Sequence, residues 1–532
     1  MIKDFNQSNF SRYLEELSPN ADKEYSLWKA TKRLKRPVVR NSPLKNEFNQ
    51  WIRRDEEKAE LFAEHLFRTF QPHNIPSSMA LMEDLMPNLQ IKPVTPMEVA
   101  KEIERNLNPK KSAGVDKISP RILKELSKKG IVMLTYIFNA CFRLEYVPQS
   151  FKIAKIIMLK KPDKAEEKVE SYRPISILPA ISKLFEKLLL KRLKPLARIP
   201  DHQFGFCNQH STIEQVHRVA AIIEKAFEEK KYCSAAFLDV AQAFDRVWHE
   251  GLQSKLAEIL PGNYVYFLKS YITGRAFRVF HGDAISTQHP INARVPQGSV
   301  LGPILYLIYT ADIPTTEETE TATFADDTAI LSVHPSQAQA TENLQKALDG
   351  ISRWADQWKI KLNEQKSTHV TFAKRKCDVQ YSVYIKQSEI PAASHAKYLG
   401  IHLDSSLTWR HHIDQKKTQI NLKLRQMYWL IGHHSKMKIE SKRLIYQMII
   451  KPVWTYGIQL WGCAKPSNRK IIQTVQNKTL RTITGARWFQ TNEALHKDLK
   501  IKWVDEVVRE YATKHEKRLH GHINPEAFQL ID

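Results

Sequence analysis

The residues in this chain best suited to chemistry are three aspartates. Asp326 and Asp327 stand side by side in Thr323-Phe-Ala-Asp-Asp-Thr-Ala-Ile-Leu331, between an aromatic/small pair and an apolar run. That pattern predicts a tight β-hairpin turn with acids at its tip. Adjacent carboxylates repel each other, so a fold that presents them together generally holds cations there; the plainer alternative is ordinary turn chemistry on a solvated loop. Asp239 closes Cys233-Ser-Ala-Ala-Phe-Leu238, which reads as a buried strand. Carboxylates on neighbouring strands can hold two divalent ions about 4 Å apart, one activating a 3′ hydroxyl and the other bridging departing phosphates. In that scheme Asp327 serves as a ligand or as support for the hairpin.

Further residues could complete a phosphoryl-transfer site. Residues 151–161 read as a strand ending in Lys160 and Lys161, followed by a polar loop from Pro162 to Glu170. A second strand is predicted over Ser171 to Leu178, at a sheet edge because Pro174 removes a ladder donor and biases Arg173 to extended backbone. Lys161 and Arg173 then lie near one another across the hairpin, where they could clamp a triphosphate or stand as solvated edge charges. Ala241 to Trp248 is predicted to open a helix. Arg294 to Pro303 reads as a Gly/Pro-rich turn feeding an apolar helix: Gly298 permits a close backbone approach to a base or sugar, and Gln297 and Ser299 offer polar contacts.

The elements that must position these residues extend over 532 residues, too many for one core. Net charge is +24 and the pI about 9.6. Solubility of a small domain needs a net charge of only roughly 2 to 8, so the excess points to a polyanion, nucleic acid before an acidic membrane. Five cysteines, odd in number and without a CxxC pair, indicate neither a disulfide framework nor a zinc site and fit a reducing, intracellular location. The amino terminus lacks the apolar core of a signal peptide, and the longest apolar stretch, Val300 to Ala311, is too short to span a bilayer; no membrane segment is predicted.

A basic run from Lys29 to Pro37 suits a nucleic-acid arm, a targeting signal or a solvated helix face. Trp51, Phe62, Leu66, Phe67 and Phe70 recur at helical spacing between Glu47 and Phe70, with Pro72 as the stop. Thr95-Pro-Met-Glu98 is a capping-box pattern opening a helix through Ile103 and Leu107, and Asn108 to Asp116 a loop. Helices are also predicted over Ile181 to Leu196 and Thr212 to Lys230, with a glycine turn at Gln203 to Phe206 between them.

Phe237-Leu-Asp-Val-Ala-Gln-Ala-Phe-Asp-Arg-Val-Trp-His249, Pro296-Gln-Gly-Ser-Val-Leu-Gly-Pro303 and Phe324-Ala-Asp-Asp327 resemble, in order, the palm motifs of reverse transcriptases. The likeness is greatest to the non-LTR retrotransposons of the jockey group and runs from about Glu47 to near the carboxyl end. It implies an α+β right-hand polymerase with fingers, palm and thumb, an antiparallel palm sheet and a helical C-terminal region. The implied boundaries are 1–90 for a basic arm and docking helix, 91–232 for an N-terminal extension and fingers, 233–395 for the palm, 396–455 for a primer-side hairpin and thumb, and 456–532 for a helical basic region.

By this resemblance Asp239, Asp326 and Asp327 are catalytic. The metal ligands are Asp239, Val240, Asp326 and Asp327, holding two Mg²⁺ ions or Mn²⁺. Phe244 matches the bulky residue that excludes a ribose 2′-OH. Lys161 and Arg173 match positions that hold the incoming triphosphate, Gln297 and Gly298 the loop that positions nucleotide and template, and Lys366, in Leu362-Asn-Glu-Gln-Lys-Ser367, a proton donor to pyrophosphate. Lys397 to Asp404 resembles the hairpin beside the primer terminus. Beyond it, Ile413, Ile420, Leu424, Met427 and Ile431 form an apolar helical stripe, with Lys416, Lys417, Lys423 and Arg425 elsewhere around the helix as a basic face toward duplex backbone. Aromatic residues from Tyr456 to Trp461, and Trp488 and Phe489 after the basic Lys465 to Arg487, suit single-stranded RNA or a helical core.

The implied activity is RNA-directed DNA synthesis in retrotransposition: a DNA or RNA primer 3′ end extended with dNTPs on an RNA template, against a DNA target, in the nucleus by family habit. The roughly 100 residues before the fingers are too few for the endonuclease domain that family members usually carry, so a separate endonuclease is expected. Cys207 stands where the family commonly has arginine, which weakens a template contact, and neither an RNase H constellation nor a carboxyl-terminal Cys/His knuckle is present. The alternatives are an inactive or truncated retroelement remnant that binds RNA, and an RNA-templated RNA polymerase, which Phe244 disfavours.

Overall fold

Two sheets carry the chemistry-bearing residues, and each forms for a reason visible in its side chains. The computed structural model describes residues 2–20, 25–35, 42–76, 85–161, 164–375, 379 and 381–531; Pro162, Cys377 and the Arg36-Pro37 end of the basic run lie outside them. In the first sheet, Ile153–Lys160 pairs antiparallel with Tyr172–Ile177 and parallel with Arg275–His281. Tyr172–Ile177 is the edge strand, as Pro174 requires. The helix Asp55–Thr69 lays Phe62, Ala63 and Leu66 over Ala154, Ile156, Phe277 and Val279.

The second sheet is antiparallel, in the order Thr368–Phe372, Tyr232–Leu238, Asp327–His334, Glu320–Phe324. Tyr232–Leu238 is covered on both faces, which explains its unbroken apolar run. Ala236 and Leu238 face Leu344, Leu348 and Ile351 of the helix Gln337–Gln357. Ala235 and Phe237 face Val216, Val219 and Ile223 of the helix Thr212–Glu228.

His369, buried in Thr368–Phe372, meets Ser234 Oγ through Nε2 at 2.8 Å. Burial lowers its pKa to about 4. A base whose folded pKa lies below its unfolded value contributes stability above about pH 6.5, lost as pH falls toward the folded value, here on the order of 2–3 kcal/mol. The thermal midpoint should therefore drop between pH 7 and pH 4.5, and less steeply in His369→Gln; equal slopes would show that His369 does not drive the loss.

Several expectations need correction. The docking helix begins at Asp55, not near Glu47: Asn49 turns the chain at φ 60, and Trp51 sits in the short strand Trp51–Ile52, 52% exposed. Thr95 accepts from the Glu98 amide at 3.2 Å, but the Glu98 carboxylate turns to Arg192 at 2.9 Å, so half a capping box forms. Ala241 to Val247 is a run of turns, with the helix starting at His249. Its carbonyls are engaged elsewhere, Phe244 O accepting from Val295 N at 3.1 Å and Val247 O from Arg294 N at 2.9 Å. The basic run is helical over Ser26–Lys35, with Leu27 and Ala30 buried.

The helix Arg410–Ile431 buries Ile413, Ile420, Met427 and Ile431 as its stripe predicts. Lys416 is buried beside them, its Nζ 5.2 Å from the Tyr456 ring centroid, so it does not belong to an outward basic face. Trp454 and Trp461 are core residues, whereas Trp488 and Phe489 are 90% and 60% exposed. Among the described residues Cys141, Cys207, Cys233 and Cys463 are free, and no helix is long and apolar enough to cross a membrane.

Candidate active site

The three aspartates meet at one end of the second sheet. Leu238 pairs with Thr328, which carries Asp239 and Asp327 to the same edge as their strands run out. Phe324 pairs with Asp327, leaving Ala325 and Asp326 as a two-residue hairpin loop with Asp326 at its tip. Ala325 has φ 59, a left-handed conformation suited to glycine in such a turn, so the surroundings must hold it. Gln203 does so: its Oε1 accepts from Ala325 N at 2.8 Å and from Gly205 N at 2.7 Å. Phe204 N donates to Thr323 O at 2.9 Å, and Gln215 Nε2 donates to the same carbonyl at 3.0 Å.

Gly205 lies so close that a Cβ there would be 2.1 Å from Ala325 N. Gly205→Ala must push the acid hairpin away from its clamp, and a shift of about 1 Å at a reacting group costs on the order of 10²-fold in rate. Any reaction rate that depends on these acids should fall by that order in the variant; an unchanged rate would show that the clamp has slack.

Burial raises the Asp326 pKa, with the Asp239 charge adding to it and the Asp326 amide and Arg173 opposing. Asp327 is pushed up to about 6 by desolvation and by the charges of Asp326 and Asp239. Like charges crowded at a strand end are costly, and a divalent cation relieves that cost. The donor set fits such an ion: carboxylate oxygens, with the carbonyl as all that Val240 can offer.

The Asp239 amide donates to Ser367 Oγ at 3.2 Å, and its carbonyl accepts from Asn363 N at 2.8 Å. The turn from Asn363 to Ser367 is thereby seated on Asp239, and Lys366 Nζ lies 3.5 Å from Asp239 Oδ2.

Across the first sheet Arg173 pairs with Leu159, and Lys161 N donates to Ser171 O at 2.8 Å, so Lys161 and Arg173 lie diagonally on one face. Lys161 Nζ donates to Glu170 O at 2.9 Å. Burial lowers the Lys161 pKa, helped by Arg173 and Lys366 and opposed by Asp245. Arg173 in turn acts on Asp326, which ties this pair of cations to the acid cluster. Phe244 stacks on Tyr306 with centroids 4.4 Å apart and meets Phe206 edge-on at 5.9 Å.

Gln297 O accepts from Ser176 N at 3.2 Å, joining its loop to the edge strand. Gly298 has φ 109, and a Cβ there would lie 2.6 Å from Ser176 O. Its close approach is therefore to the protein's own strand rather than to a base or sugar. Ser299 Oγ is also used internally, donating to Pro296 O and accepting from Gly302 N, both at 2.8 Å.

Three supports escaped sequence reading. Gln203 and Gly205 lie more than a hundred positions from the turn they hold. Glu186 accepts from Val300 N and Leu301 N, steadying the entry to the helix Gly302–Tyr309; its signal is an acid on the apolar face of its own helix. Arg294, fully buried, lies over the Phe70 ring with Nε 3.0 Å from Asp245 Oδ1, behind Phe244. Asp245, next to Phe244, was the one local hint.

Residues 159–403 match the family described as Reverse transcriptase (RNA-dependent DNA polymerase). The chain carries a reverse transcriptase domain. Lys161, Arg173, Gln203, Asp239, Phe244, Gln297, Asp326, Asp327 and Lys366 all fall inside it. Over 531 residues the chain is 40% identical to the probable RNA-directed DNA polymerase from transposon X-element of Drosophila melanogaster, covering 97% of this chain and 58% of that one. It is 37% identical to the probable RNA-directed DNA polymerase from transposon BS of the same organism, covering 100% and 61%. It is likewise 37% identical to the RNA-directed DNA polymerase from mobile element jockey of Drosophila funebris, covering 98% and 59%. The chain thus spans about three fifths of the length of these relatives, and the reverse transcriptase domain lies within the shared part.

Proposed function

We propose that the chain is an RNA-directed DNA polymerase that extends a primer 3′ end on an RNA template with dNTPs, in retrotransposition. The observation that carries this reading is the meeting of Asp239, Asp326 and Asp327 at one sheet edge, with Arg173 of the other sheet close enough to act on Asp326 and Lys161 diagonal to Arg173. In this reading the acid-bearing sheet is the palm, the sheet with Lys161 and Arg173 belongs to the fingers, and Arg410–Ile431 is the thumb helix beside a primer-side hairpin. The proposed boundaries remain 91–232, 233–395, 396–455 and 456–532, with 1–90 now including packed helices.

Asp239 and Asp326 would hold the divalent cations, Mg²⁺ foremost, with Asp327 and the Val240 carbonyl in support. Bound there, the ions supply charge to the 3′ oxygen and to the departing pyrophosphate. Arg173 and Lys161 grip the triphosphate, the arginine through its bidentate fork. Phe244, braced by Tyr306, fills the space a 2′-OH would need. Gln297 and Gly298 tie the nucleotide-side loop to the edge strand, so their role is to place that loop rather than to touch the base. Lys366, its Nζ 3.5 Å from Asp239 Oδ2, would be the proton donor to the leaving pyrophosphate.

The test is primer extension by the full chain on an RNA template with a DNA primer, dNTPs and Mg²⁺. Template-dependent DNA product is expected. RNA binding with steep salt dependence but no synthesis would replace this reading with that of a non-catalytic RNA-binding retroelement protein.

A further inference from the structure

Away from the acid cluster, three histidines converge where a hairpin meets a helix. His395 and His402 lie diagonally on the outward face of the two-stranded hairpin His395–Tyr398 and Ile401–Asp404, where His395 pairs with Asp404 and Lys397 with His402. Ala396, Tyr398, Ile401 and Leu403 point the other way into the core. His411 enters from the first turn of Arg410–Ile431. One nitrogen from each of the three imidazoles falls within 4.8 Å of the others. The His395 and His411 rings are 3.9 Å apart, and those of His402 and His411 5.1 Å.

We propose that His395, His402 and His411 form a transition-metal site, with Zn²⁺ as the best-matched ion, that fastens the hairpin to the helix. Three imidazoles with one open position are a standard zinc donor set, and metal–nitrogen bonds of about 2.0–2.1 Å bring such nitrogens within roughly 3.4 Å of each other. Closing that gap requires only side-chain rotation, since all three residues are partly exposed.

His402 Nδ1 is buried without a hydrogen-bond partner, and His395 Nδ1 has only Ser394 Oγ at 3.4 Å. Lys397 and Lys416 oppose a dication; Asp404 partly offsets them, although its oxygens already accept from Thr408 and Trp409 amides at 2.9 Å. A metal cross-link from the hairpin to the helix would add to the core packing of Ala396, Tyr398, Ile401 and Leu403 that already joins them.

The proposal is independent of polymerase activity, and so is its test. The full chain, stripped with chelator and held in excess Mg²⁺ to occupy carboxylate sites, is titrated with Co²⁺. A visible ligand-field absorption of tetrahedral type should develop and be displaced by Zn²⁺. His395→Gln, His402→Gln and His411→Gln should each weaken binding by about tenfold or more, while His434→Gln, whose ring lies tilted against His433 just past the far end of the helix, should not. X-ray absorption on the wild-type Zn²⁺ complex needs no variant and should show three imidazole nitrogens. An oxygen-only shell, absence of Co²⁺ and Zn²⁺ binding, or a band that persists in the triple variant would overturn the site. So would metal-independent loss of nucleic-acid binding in the three variants without loss of a metal.

Discussion

Asp326→Asn and Asp239→Asn should each lower template-dependent DNA synthesis by at least about 10³-fold while leaving RNA binding in place. Asparagine keeps the shape of the side chain, so Gln203 still holds the hairpin and Leu238 still pairs with Thr328. What is lost is the negative charge that would hold a cation against the reacting phosphate, and removing one preorganised electrostatic group typically costs about 10²- to 10³-fold even when the ion is not itself lost. The raised Asp326 pKa gives the stability control. A carboxylate disfavoured in its ionised form destabilises the metal-free fold near neutral pH, so Asp326→Asn should leave the thermal midpoint equal or higher without divalent ions. A lower midpoint would mean that the lost activity reflects damage to the hairpin. Synthesis at wild-type rates in either variant would remove the acids from the chemistry. Asp327→Asn should cost less than Asp326→Asn, because Asp327 is the first residue of its strand and not the tip of the turn.

Phe244→Val should raise ribonucleotide incorporation relative to deoxyribonucleotide by about 10- to 100-fold, the range a steric pocket contact can supply. Phe244 is held from two sides, by the Tyr306 ring at 4.4 Å and by Phe206 at 5.9 Å, while its carbonyl is tied to Val295 N. A ring fixed in this way cannot swing aside for a 2′-OH. Its loss also removes an aromatic stack worth about 0.5–1.5 kcal/mol, so valine is the informative variant and alanine the more damaging one. The measurement is the ratio of dNTP to rNTP incorporation on one template. An unchanged ratio with a lowered thermal midpoint would make Phe244 a brace for Tyr306 and not a filter.

How much was legible in sequence varied from element to element. The doubly covered strand before Asp239 was plain because burial on both faces leaves an unbroken apolar run, and Pro174 marked the edge strand because it lacks a donor. The hairpin with Asp326 at its tip followed from turn chemistry, although Asp327 opens the returning strand, and Lys161 beside Arg173 followed from strand length and pairing. These features depend on residues a few positions apart. Ala241 to Val247 misled for the same reason: it has no local obstacle to a helix, and bonds to distant residues hold it in turns, Ala241 N to Lys361 O and the Arg294 and Val295 amides to Val247 O and Phe244 O. Lys416 misled because its type suggests solvent, whereas the Tyr456 ring gives its charge a partner in the core.

The sequence by itself therefore determined which groups are available and which strands and turns carry them, since side-chain periodicity, proline and turn residues act over neighbouring positions. Tertiary structure alone decided that Gln203 and Gly205 clamp the left-handed Ala325, that Gly298 is required by Ser176 O, and that His395, His402 and His411 face one another. Each of those depends on close approach between segments that meet only when the helices and sheets pack, and spacing along the chain carries no record of that distance.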